Sequence, residues 1–235
     1  MRPPEDASEV LRKTVERIEA ANIKYPHYFT GRLRLAADIE GVASVFQRIR
    51  ERDDEMVVDH LMEIEYALVF KHLGFRPRFE PTGAKGPDLM VERDGLSAFL
   101  EVKRYRPKEG EHIPEELGPH GELQEYGNLR ITSSRIANDL QEKLRQIRPR
   151  NGVKHGILAV WSDREWIDDI DFKCGVGLMC QTLPEEELKG VLFCVFGSPF
   201  VELGRQYGQR FYCEPVSRSD AFDSWIEDIQ NCSTY

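Results

Sequence analysis

The sequence predicts an α/β fold with a mixed central sheet flanked by helices, and three observations carry that expectation. An Asp94-Gly95 turn closes a hairpin between two stretches of alternating apolar residues, the strongest short hairpin signal. Helical periodicity stands on both sides of it, over residues 57 to 73 and 133 to 148. A short apolar run, His155 to Trp161, then reads as a buried strand.

Two helical stretches come first. Residues Glu5 to Ala21 hold Val10, Leu11, Val15 and Ile18 in phase, and a second stretch runs from about Arg32 to Arg52. Between them, Tyr25-Pro26-His27-Tyr28-Phe29 reads as a loop packed on its own domain, with base stacking as the alternative use of its aromatics. The helix from Val57 to Leu73 is stopped by Gly74. Ser133 or Ser134 caps the later helix, which carries Ile136, Leu140, Leu144 and Ile147 and ends at Pro149 to Gly152.

The hairpin fixes the chemistry. A two-residue loop pairs Arg93 with Leu96, Val91 with Ala98, Leu89 with Leu100 and Asp88 with Glu101. Leu89, Val91, Ala98, Leu100 and Val102 then share the face expected to be core, whereas Asp88, Glu101 and Lys103 share the face expected to carry chemistry. Directly opposed side chains lie about 4.5–5.5 Å apart, and like charges placed so are destabilising unless something positive compensates them. A divalent cation is the evident candidate, because Mg²⁺ typically receives one or two carboxylates from a protein, with water and substrate phosphate completing its shell. Lys103 would stand beside it, where an ammonium orients or helps deprotonate an attacking water.

Pro87-Asp88, twelve intervening residues, then Glu101-Val102-Lys103: in motif, spacing and flanking elements this segment resembles the PD-(D/E)XK superfamily, the restriction-endonuclease-like nucleases. The resemblance covers about residues 57 to 161. It implies a restriction-endonuclease-like core there, a helical extension over residues 1 to 56 and a sheet extension or annex over 162 to 235. It also implies that Asp88, Glu101 and the Val102 carbonyl bind Mg²⁺ or Mn²⁺ while Lys103 positions the water. A further acid is implied on the preceding helix, about three turns before Gly74-Phe75, which points to Glu63. Glu65 competes, since the apolar residues around this helix leave both acids at its margins. The function implied is metal-dependent hydrolysis of phosphodiester bonds, with DNA as the expected substrate. The alternatives are a catalytically inactive protein of the same fold that binds nucleic acid or a protein partner, and a purely structural hairpin. A homodimer is left open.

Composition bounds these readings. The 235 residues suffice for one good core with a small annex. The start, Met1-Arg2-Pro3-Pro4-Glu5-Asp6, lacks an apolar signal region and the run Val191 to Phe196 is too short to span a membrane, so an intracellular, cytoplasmic protein is expected. Five cysteines without a C-x-x-C pair indicate reduced thiols rather than a disulfide framework or a zinc ribbon. His112 and His120 flank an acidic stretch and read as solvated loop histidines.

The net charge of −9 is uneven: residues 162 to 235 hold 6 basic and 14 acidic side chains. Residues 128 to 154, by contrast, hold 7 basic side chains against Asp139 and Glu142. Arg135, Lys143, Arg145 and Arg148 in that stretch are the expected contacts to nucleic-acid phosphates, against the plainer reading of a solvated basic helix face. Residues 104 to 130 are polar and rich in Pro, Gly and Glu, and are expected to form a lid or substrate guide beside the site. Beyond Trp161, a strand from Leu188 to Phe196, extended pieces near Phe200 and Phe211 and a helix over Ala221 to Ile229 are legible.

Overall fold

Both central residues of the hairpin turn take positive φ, 55° at Asp94 and 76° at Gly95, as a two-residue turn between twisted strands requires. The turn joins β2 (Leu89–Arg93) to β3 (Leu96–Tyr105) in the expected register, from Arg93 against Leu96 to Leu89 against Leu100. The computed structural model describes residues 7–23, 25–83, 86–105, 129–149, 151–162, 169–201, 207–217 and 220–232. The expected lid residues 106 to 128, with His112 and His120, lie outside them, as does Arg150.

Around the hairpin the fold is α/β, with a six-stranded sheet in the order β1-β2-β3-β4-β5-β6. Here β1 is Arg76–Phe79, β4 His155–Ser162, β5 Val191–Val201 and β6 Tyr207–Pro215. Strands β3, β4 and β5 are mutually parallel and the other neighbours antiparallel, so the sheet is mixed. The strands after Trp161 thus continue this same sheet. Parallel neighbours need crossovers, and these contain α5 (Leu129–Lys143), then α6 (Asp169–Thr182) and the short α7 (Glu185–Leu188). Both crossovers step the same way along the sheet, which places α5 and α6 on the same face.

The opposite face is covered by α1 (Ala7–Ala20), α2 (Pro26–Ala36), α3 (Val42–Glu51), α4 (Asp54–His72) and α8 (Asp220–Gln230). Leu89, Val91, Ala98, Leu100 and Val102 point into that layer, as expected. The second face differs from expectation, because it too is a core: Phe99, Tyr105, Leu158, Val160 and Phe196 pack under Ile136, Leu140 and Phe172. The crossover helices cover one side of β3 and the N-terminal helices the other, so Glu101 of β3 is enclosed rather than open to solvent.

The N-terminal helices also divide differently. The expected loop at Tyr25 to Phe29 is instead the first turn of α2, entered by Tyr25 in a left-handed conformation and by Pro26, whose fixed φ and missing N–H suit that position. The expected 32 to 52 stretch is broken between α2 and α3, where Phe79 N–H donates to Glu40 C=O at 2.9 Å and ties the break to β1. Gly41 sits there at φ 81°, and a Cβ on it would lie 2.6 Å from the Phe79 carbonyl oxygen. Gly41→Ala is therefore expected to cost at least about 1–2 kcal/mol, since it adds left-handed strain to a backbone clash. A urea melt of the variant checks it. At the other end of the chain, α8 is held to the hairpin by Arg93, which pairs with Asp228 at 2.7 Å and lies over the Phe75 ring at 4.2 Å. Among the described residues no helix is long and apolar enough to cross a membrane.

Candidate functional site

The site forms where β2 begins and β3 runs on without it. Asp88 and Glu101 stand one step past the last laddered pair, Leu89 with Leu100, and alternation puts both on the α5 side. From there to Tyr105, β3 is paired only with β4. Asp88 occupies the vacated edge: its Oδ2 accepts a hydrogen bond from the Val102 N–H at 2.8 Å, while its own C=O accepts from Glu80 N–H at 2.9 Å. The Asp88 side chain thus does in part what the next residue of β2 would have done.

Glu101 is 1 % exposed. Its Oε1 is paired with the Lys143 ammonium, from the last turn of α5, whereas its Oε2 is buried and accepts no hydrogen bond among the described residues. A buried carboxylate oxygen left in that state is costly unless a proton or a cation satisfies it. Burial pushes the Asp88 carboxyl well above the usual carboxylate range, and the nearby charges of Glu63 and Glu101 add to the rise. Burial also raises Glu101, although the Lys143 ammonium and the Asp88 backbone amide pull the other way. For Lys143, the Glu101 and Asp88 carboxylates outweigh burial and the net shift is upward.

Glu63 and Glu65, left open by helix phase, separate here. Glu63 is buried on α4, close enough for its charge to bear on both Asp88 and Glu101. It is held by Arg48 of α3 at 2.6 Å and by His60 Nδ1 at 2.8 Å, and Arg48 also reaches Glu80 at 2.6 Å. Glu65 faces away, fully buried between Arg32 at 3.0 Å and the Tyr28 hydroxyl at 3.1 Å. Burial alone would lower the Arg32 pKa, but the Glu65 carboxylate reverses the shift.

Lys103 is half-buried on the Glu101 face and has no ion-pair partner among the described residues. The basic stretch divides. Arg145 and Arg148 are exposed in the turns that follow α5, which stops at Lys143 rather than continuing to 148. Arg135, expected at a phosphate, lies over the Tyr105 ring at 4.4 Å. Lys143, also expected at a phosphate, instead turns inward to Glu101. Arg48, His60 and Glu80 had no signal that singled them out, apart from the i,i+3 spacing of His60 and Glu63 on one helix.

Two opposed carboxylates, one with an unsatisfied buried oxygen, are the hard donor set that Mg²⁺ or Mn²⁺ takes. Among the described residues, however, no three His, Cys, Asp or Glu side chains stand together closely enough to hold a metal ion as they are. The carboxylates are engaged elsewhere: Glu63 by Arg48 and His60, Glu101 by Lys143. No protein-family model, no curated protein and no solved structure matches the chain.

Proposed function

We propose that the protein is a metal-dependent nuclease of the PD-(D/E)XK type, hydrolysing phosphodiester bonds in nucleic acid, with DNA as the expected substrate. One observation carries this reading: Asp88 and Glu101 meet at a strand edge as buried carboxyls of raised pKa, an arrangement that disfavours itself in the absence of a cation. Asp88, Glu101 and the Val102 carbonyl would hold the cation, with Glu63 reaching it through water. A bound Mg²⁺ or Mn²⁺ supplies Lewis acidity and lowers the pKa of water. Lys103, on the same face as Glu101, orients the attacking water and offsets charge on the phosphate. Arg145 and Arg148, exposed in the turns that follow α5, hold the phosphate backbone through screened attractions that weaken with salt.

A second reading is favoured by a specific contact. The Lys143 ammonium already balances Glu101, as it would in a protein of this fold that binds nucleic acid without cleaving it. The two readings part on a panel of labelled DNA and RNA structures, single-stranded, duplex, branched and end-bearing, incubated with Mg²⁺ or Mn²⁺. The nuclease reading expects cleavage by the wild type, none by Asp88→Ala, and a loss of about 10²-fold or more for Lys103→Ala with binding retained. Binding of the panel with no cleavage of any member rejects it in favour of the second reading.

A further inference from the structure

The Lys143–Glu101 pair is an unusual use of a helix-terminal lysine. Glu101 is 1 % exposed, whereas the Lys143 side chain is 21 % exposed, so the pair has one fixed, buried partner and one partner with a path to solvent. The lysine stem leaves the last turn of α5, anchored on the sheet by the neighbouring Leu144 and Ile147. Withdrawing the ammonium therefore needs only side-chain rotation. The Lys143 ammonium contacts Glu101, and the charge of Asp88 also bears on it. Glu101 Oε2 remains unsatisfied even with Lys143 in place. One ammonium does part of a divalent cation's work there.

We propose that Lys143 is a built-in counter-ion that stands in for the divalent cation at Asp88 and Glu101 and must withdraw from Glu101 for the cation to bind. The proposal rests on the cation site inferred above, and assigns Lys143 a positioning role distinct from that of Lys103. A fixed positive charge beside a site for a second positive charge lowers cation affinity, and the effect is strong where water is excluded. Lys143 thus protects the cation-free fold from an unpaired buried acid and sets a threshold cation concentration for loading.

The test is calorimetric titration of the full chain with Mn²⁺ alone, in wild type, Lys143→Met, Lys143→Arg and Lys103→Met, with melting curves in EDTA and in saturating Mn²⁺. The expected result is Mn²⁺ binding at least about tenfold tighter in Lys143→Met than in wild type, and no tighter in Lys143→Arg. Lys143→Met is also expected to melt below wild type in EDTA and to regain most of the difference in Mn²⁺. A lysine that merely packs would lower both melts equally, and that outcome overturns the proposal. If Lys143→Met does not fold in EDTA, Lys143→Gln replaces it, and folding rescued by Mn²⁺ supports the same conclusion. Binding by wild type and Lys143→Met with equal affinity overturns the counter-ion role while leaving the nuclease reading intact. Binding by Lys143→Met alone supports the counter-ion role and removes the nuclease reading for the native chain. Binding by neither overturns both.

Discussion

Asp88→Asn is expected to move activity and stability in opposite directions. The amide keeps an oxygen for the Val102 N–H but is a poor cation ligand, so cleavage is expected to fall on the order of 10³-fold, at 1.36 kcal/mol per decade of rate. The cation-free protein, by contrast, is expected to melt higher than wild type. An acid whose folded pKa is raised leaves stability intact below its ordinary pKa and loses it as the pH climbs through the folded value. The wild type therefore carries a growing penalty at Asp88, beside Glu63 and Glu101, as the pH rises above the ordinary carboxylate range, and near pH 4 it carries little. The gain from Asp88→Asn belongs to neutral pH, about 2–4 °C for each kcal/mol in a chain of this size, and vanishes in acid. Melts of both proteins in EDTA across that range check the sign. An equal shift at both pH values contradicts the electrostatic account.

Glu65→Ala is expected to have the largest effect on stability and none of the same kind on cation dependence. It leaves Arg32 without its buried carboxylate partner, a loss of about 3–5 kcal/mol. Glu63→Gln is the matched comparison, since Glu63 lies near Asp88 and Glu65 does not. If the protein retains enough structure to be assayed, Glu65→Ala is expected to keep its Mn²⁺-induced rise in melting temperature while Glu63→Gln loses part of it. A Glu65 variant that melts normally but no longer responds to Mn²⁺ would reverse the two assignments.

How much of this was legible in the sequence depends on the range of the interaction. The hairpin is local: Asp94-Gly95 fixes the turn, the period of two fixes the faces, and Asp88 follows onto Glu101 without knowledge of anything else. The helix 57 to 73 was readable but not its cap, where the Asp53 carboxylate accepts from Met56 N–H at 2.9 Å and starts α4 at Asp54. Two elements were hidden by their own composition. Strand β1 is four residues with Pro77 inside it, acceptable only because it lies at the sheet edge. Helix α6 contains Gly175 and Gly177, which read as helix breakers, yet a Cβ at Gly175 would meet Ile136 at 2.6 Å, so the glycine is what lets α6 approach α5.

The site was half legible for the same reason. Glu63 and Glu65 are indistinguishable on a helix buried nearly all round, and only the tertiary partners Arg48 and Arg32 tell them apart. Lys143 stands 42 residues from Glu101 and looks like one more member of a basic helix face. The positive charge expected beside the opposed acids is supplied in the structure by Lys143 of α5, which had no local signature.

The proposed sharing of one divalent cation by Asp88 and Glu101 is open to anomalous diffraction from crystals grown with Mn²⁺. The expected result is an anomalous peak in contact with both carboxylates, with the Lys143 ammonium displaced from Glu101, and no peak there in Asp88→Asn. Crystals that hold Mn²⁺ elsewhere, or none at all, with Lys143 still seated on Glu101, would contradict it.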